Sequence, residues 1–129
     1  MLKCVKITFI DFQSYKDTKF SLYPGLNVIW SKGNNVGKSS IIRALEAITR
    51  IHKYSGQQIK DLIRWGQPVA YIVCEYDNCR TELKLFLRNS TASYSFSHYE
   101  DDDFIEMDRA PKVLLDALSI FYDEEIDYI

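Results

Sequence analysis

Cysteine is scarce in this 129-residue chain: Cys4, Cys74 and Cys79 make an odd number with no C-x-x-C pair. That excludes a disulfide framework of the small secreted kind and a zinc site built on paired thiolates, and leaves inert thiols in a reducing compartment as the expectation. No apolar run approaches the ~20 residues of a membrane span. Met1–Lys6 alternates like a strand and lacks the apolar centre of a signal peptide. A cytoplasmic protein with no membrane partner is therefore expected. Repeats, linkers and low-complexity segments are also missing, so residues 1–129 read as one domain, which by its length buries about two-thirds of its unfolded surface.

A strong net charge is absent too, at −2, but the balance conceals a polarity. Residues 1–65 carry 11 Lys/Arg against 4 Asp/Glu, and residues 66–129 carry 5 against 14. A uniform basic face typical of a stand-alone DNA binder is excluded, whereas phosphate or nucleic-acid contact by the basic half is not.

That basic half holds the most informative stretch, Val28-Ile29-Trp30-Ser31-Lys32-Gly33-Asn34-Asn35-Val36-Gly37-Lys38-Ser39-Ser40. An apolar strand runs into a Gly/Asn-rich loop and then into Lys-Ser-Ser at the start of a helix. A nucleotide's phosphates need several donors converging on one concave spot, and unhindered backbone turning into a helix start supplies them. Gly33 and Gly37 permit the turn, Lys38 reaches the β- and γ-phosphates, and the Ser39 hydroxyl joins the shell of a Mg²⁺ ion. The match to G-x-x-x-x-G-K-[ST] is imperfect, because Lys32 occupies the first position and Gly33 falls one place late. A Gly-rich turn that merely joins a strand to a helix is the alternative.

Along the chain, residues 2–12 alternate as a half-buried strand, with Val5, Ile7 and Phe9 on one side. Ser14–Asp17 reads as a turn, Phe20 and Leu22 as a second short strand, and Leu26–Trp30 as a central strand covered on both faces. Ile41, Ala44, Leu45, Ile48 and Ile51 then mark one face of a helix. Ser55-Gly56 reads as a break, and Ile59–Ile63 as a short helix ended by Trp65-Gly66-Gln67-Pro68. A meander follows at Val69–Tyr76, Arg80–Arg88 and Ala92–His98, with Asp77-Asn78 and Asn89-Ser90 as hairpin turns. Glu100–Asp103 reads as a solvated loop, Phe104–Met107 as a short strand, and Pro111 as the start of a final helix.

The residues Ile7–Lys16, Pro24–Ile29 and Asn34–Leu45 together resemble the N-terminus of SMC-like ABC ATPases, the group that includes RecF, SbcC and the double-strand-break repair ATPases. The resemblance is strong over residues 1–50 and looser over Asp61–Gly66 and the meander. It implies an α/β fold: a P-loop NTPase lobe of ABC/SMC type, with a mixed sheet, a P-loop helix and an antiparallel meander. It also implies an ATPase head that pairs around ATP and Mg²⁺ and works on DNA, in repair or chromosome maintenance. On that resemblance Gly33, Asn34, Asn35, Val36, Gly37, Lys38, Ser39 and Ser40 hold the triphosphate, Ser39 contacts the metal, and the Gln13-Ser14 turn lies near adenine and ribose.

Such heads also need a Ser-Gly-Gly signature and a strand ending in Asp-Glu, both after a coiled-coil insertion. This chain has no Ser-Gly-Gly and no heptad run. Asp123-Glu124 follows an apolar run and is a weak candidate for metal ligand and general base; without a preceding signature it reads instead as a helix exit. Gln67, within Gly-Gln-Pro, is not taken as a metal-contacting glutamine. His52 and His98 read as unpaired surface groups. Tyr15 and Trp65 could stack on a base, but packing within the fold is the favoured reading. The expectation is an ATP-binding lobe completed by a second segment or chain, through a protein partner or self-association. A stand-alone binding or regulatory module on the same fold is the alternative, and a complete small NTPase using Asp123 and Glu124 a third.

Overall fold

The computed structural model describes residues 4–13, 15–22 and 36–119, with backbone alone at 20, 22, 36–41 and 117–119. Alternating apolar residues build strand β1 (Val5–Phe12), which turns back as β2 (Tyr15–Leu22). Helix α1 (Val36–Arg50) runs into a 3₁₀ turn at Ile51–Lys53 and the short helix α2 (Gly56–Lys60). The meander supplies β3 (Val69–Tyr76), β4 (Cys79–Arg88), β5 (Thr91–Glu100) and β6 (Asp103–Met107), and α3 (Lys112–Ser119) follows Pro111. The described strands form one sheet in the order β2-β1-β3-β4-β5-β6, every neighbouring pair antiparallel. The strand expected at Leu26–Trp30, on which a mixed sheet depends, lies outside the described residues.

Register explains why one face of this sheet is the core. Phe9 stands opposite Ile72, Ile72 opposite Leu83, and Leu83 opposite Phe96, so a single row of large apolar side chains crosses four strands. All four are at most 1% exposed. The opposite face carries Thr8, Val73, Glu82 and Ser97 in the neighbouring row, the alternation expected of a sheet buried on one side. Ala44, Leu45, Ile48 and Ile51, the helical stripe read from the sequence, are all buried with Ala47 in this same core. Leu114 does the same for α3.

Phe12 would fall on the wrong face if the alternation continued. Asp11 adopts φ 50°, a left-handed value that Asp tolerates better than most residues, and Phe12 is fully buried with its ring centroid 5.0 Å from that of Phe9. The turn expected at Ser14–Asp17 is displaced: Phe12 already pairs with Tyr15 and Ile10 with Asp17, so the reversal falls before Tyr15. Gln13, at φ 54°, supplies the left-handed backbone that it needs.

Two other readings are corrected. Ser55-Gly56 does separate the two helical stretches, but α2 starts at once there, three residues earlier than the helix expected from Ile59. The Ser55 hydroxyl accepts from the Gln58 N–H at 3.2 Å, and the Gln58 side chain accepts from the Ser55 N–H at 2.7 Å, a reciprocal cap. The helix stops at Lys60 because Ile63 is drawn into a bridge with Phe12. His98 is not a surface group. It is 6% exposed, and its Nδ1 lies 3.0 Å from the Thr81 hydroxyl, which in turn lies 2.6 Å from the Tyr76 hydroxyl. Cross-strand register causes this, since Thr81 stands directly opposite both Cys74 and His98 on the core face.

The expected hairpin turns at Asp77-Asn78 and Asn89-Ser90 are where the chain reverses. Asn89 and Ser90 take φ 51° and 70°, the paired left-handed values of the two-residue turn whose twist matches the strands. The acidic run forms a similarly tight reversal, Asp101-Asp102, with Glu100 and Asp103 already paired as strand residues. Cys4, Cys74 and Cys79 are all unpaired.

Candidate nucleotide-binding site

Gly33, Asn34 and Asn35 lie outside the described residues, as do Ser14, Asp123 and Glu124. Val36, Gly37, Lys38, Ser39 and Ser40 are helical and open α1. The first amides of a helix have no carbonyl one turn earlier to bond and carry the positive end of its dipole. The backbone at Val36–Ser40 therefore presents free amide donors at the start of α1. Among the described residues no group of three His, Cys, Asp or Glu side chains could hold a metal by itself.

Gln13, the candidate on the β1–β2 reversal, makes side-chain contacts to two other elements. Its Oε1 accepts from Arg43 of α1 at 2.9 Å, and its Nε2 donates to the Asp61 carbonyl at 3.4 Å. Arg43 lies five residues beyond Lys38, about 7.5 Å of helical rise. Gln13 thus ties the β1–β2 reversal to the helix that follows the Gly-Lys-Ser sequence and to the segment after α2.

That segment is stitched to β1 on both sides of the Phe12–Ile63 bridge. The Gln13 N–H donates to the Leu62 carbonyl at 2.8 Å, and the Arg64 N–H donates to the Asp11 carbonyl at 2.7 Å. Arg64 also reaches the Asp11 carboxylate at 3.3 Å. A turn then follows, closed by the Gln67 N–H donating to the Arg64 carbonyl at 3.0 Å, with Gly66 at φ 83° in third position. Between Gln13 and this turn lies an open cleft of about 570 Å³, lined by Lys60, Asp61, Ile63, Arg64, Trp65, Gln67 and Leu87.

Trp65 and Tyr15 separate here. Tyr15 is half-buried with its ring 5.8 Å from that of Phe9, as the packing reading expects. Trp65 is 96% exposed at the tip of the turn, which overturns packing as its role. An apolar residue bounded by Arg64 and Gly66 was the sequence signal for it, but the outward direction depends on the Asp11–Arg64 anchorage, which spans 53 positions. His52 is exposed and is held below the usual imidazole range by local desolvation and by the charges of Arg109 and Lys53. The Cys74 thiol is pushed up to about 12 by burial, so it is no nucleophile at neutral pH.

No protein-family model matches the chain. Over 67 residues it is 36% identical to the DNA replication and repair protein RecF of Lactococcus lactis subsp. cremoris (strain MG1363), a stretch covering 50% of this chain and 18% of that protein. Over 65 residues it is 31% identical to the DNA replication and repair protein RecF of Moorella thermoacetica (strain ATCC 39073 / JCM 9320), covering 50% and 17%. Half of this chain is thus similar to RecF proteins, and it spans less than a fifth of their length. Among the described residues no helix is long and apolar enough to cross a membrane.

Proposed function

We propose that the chain is the ATP-binding lobe of a RecF-like, SMC-type ATPase of the cytoplasm that acts in DNA repair or DNA maintenance. A P-loop spanning Gly33–Ser40 holds the triphosphate, Lys38 neutralises its terminal phosphates, and Ser39 contacts Mg²⁺. The observation that carries this reading is the agreement of two features. The Gly-Lys-Ser-Ser sequence opens a 15-residue helix, and half of the chain is similar to proteins named for DNA replication and repair.

The site supplies phosphate binding, while a signature segment and a water-orienting carboxylate come from a further segment or chain. ATP is bound, and hydrolysed poorly, by these residues alone. Paired binding and turnover assays with Mg²⁺-ATP test this reading. Binding without appreciable turnover, unchanged in Glu124→Gln, is the expected result. Turnover that collapses in Glu124→Gln would show a complete NTPase instead. Absence of binding would favour a partner-recognition module on the same fold.

A further inference from the structure

An indole that is 96% exposed forgoes most of the burial that an aromatic side chain normally gains. Trp65 is nevertheless held out on a well-anchored support. Its turn is closed by the Gln67-to-Arg64 hydrogen bond and fixed upstream to Asp11 by two Arg64 contacts. Downstream, the Pro68 carbonyl accepts from the Leu87 N–H at 3.0 Å. A backbone anchored in this way need not be reordered when a flat ligand settles on the indole.

The groups around the indole narrow the class of ligand. The cleft beside it is lined both by apolar residues, Ile63 and Leu87, and by polar ones, Lys60, Asp61 and Gln67. A nucleobase has the same two kinds of surface, an apolar face with donors and acceptors at its edge. The cleft also shares Gln13 with helix α1 through the Arg43 hydrogen bond, which puts it next to the helix that carries Lys38 and Ser39. We propose that Trp65 is the stacking platform for the base of the bound nucleotide, with the Asp61 and Gln67 side chains meeting the polar edge of the base. This rests on the nucleotide-binding reading above and adds to it a residue that recognises the base.

The test compares Mg²⁺-ATP with Mg²⁺-tripolyphosphate, which has the phosphates but no base, on the intact chain, Trp65→Ala, Trp65→Phe and Lys38→Ala. Base stacking is worth roughly 1–3 kcal/mol by alanine substitution, so Trp65→Ala is expected to weaken ATP about 5- to 150-fold and to leave tripolyphosphate unchanged. Trp65→Phe retains most of the affinity, and Lys38→Ala loses both ligands. Because Trp65 is exposed, an unchanged urea midpoint in Trp65→Ala establishes that the fold is intact. Equal ATP affinity in the intact chain and Trp65→Ala, with Lys38 still required, overturns the stacking role and leaves the nucleotide reading standing. Failure of the intact chain to bind either ligand removes both.

Discussion

Thr81 joins the two other members of a buried polar chain, Tyr76 and His98, and the three are linked hydroxyl to hydroxyl to imidazole. Replacing it with valine keeps the shape but leaves two enclosed polar groups without their partner, each costing about 1–3 kcal/mol. Thr81→Val is therefore expected to lower the urea midpoint strongly with an unchanged slope; a shift under about 0.5 kcal/mol would show that water replaces the hydroxyl. Burial also pushes the Cys74 thiol and the Tyr76 hydroxyl up to about 12, from 9.0 and 10.0. The folded chain keeps these protons longer than the unfolded chain, so the stability they confer is complete below pH 9 and is lost as pH rises toward 12. Melting temperatures should fall over that window, and Cys74→Ala should reduce the part of the decline that begins near pH 9. His98 and Trp65 were misread from sequence for the same physical reason. Whether an amphipathic ring points inward depends on the cross-strand partner or the turn that orients it, and neither is a local property.

At the level of elements, local chemistry carried much of the information. The alternation in β1, the stripe Ala44, Leu45, Ile48 and Ile51, and the turns at Asp77-Asn78 and Asn89-Ser90 were all legible, because each depends on periodicity or on residues that tolerate positive φ. Less legible were the start of α2 and the reversal before Tyr15. Ser55-Gly56 has the composition of a break, and only the reciprocal bonds with Gln58 make it a helix start. Ser55→Ala is expected to destabilise the chain by about 1 kcal/mol, read as a lower urea midpoint. No change would indicate that contacts with β5 hold α2 unaided. Ser90 sits at φ 70°, where a side chain is strained and glycine is not. Ser90→Gly should consequently raise stability by about 1 kcal/mol, and a drop in the thermal midpoint would contradict the assigned turn.

For the molecule as a whole, the sheet, the helix opened by Val36–Ser40 and the Gln13 linkage place the reversal after β1 beside the helix of the Gly-Lys-Ser sequence. That convergence brings residues 13, 43 and 61–67 together from parts of the chain that no local motif connects. The residues proposed to bind phosphate could be named from sequence because loop, lysine and serine are contiguous there. The neighbouring cleft could not, since Asp11 and Arg64 meet only after β1 and the segment beyond α2 have docked. The charge polarity agrees with the proposal that the basic half meets phosphate. The central claim is that this chain holds a triphosphate through Lys38. Calorimetric titration of Mg²⁺-ATP into the intact chain and into Lys38→Ala, both first shown to have the same unfolding midpoint, tests it most directly. The account predicts saturable one-site binding to the intact chain and at least a tenfold loss in Lys38→Ala; equal affinity in the two proteins would contradict it.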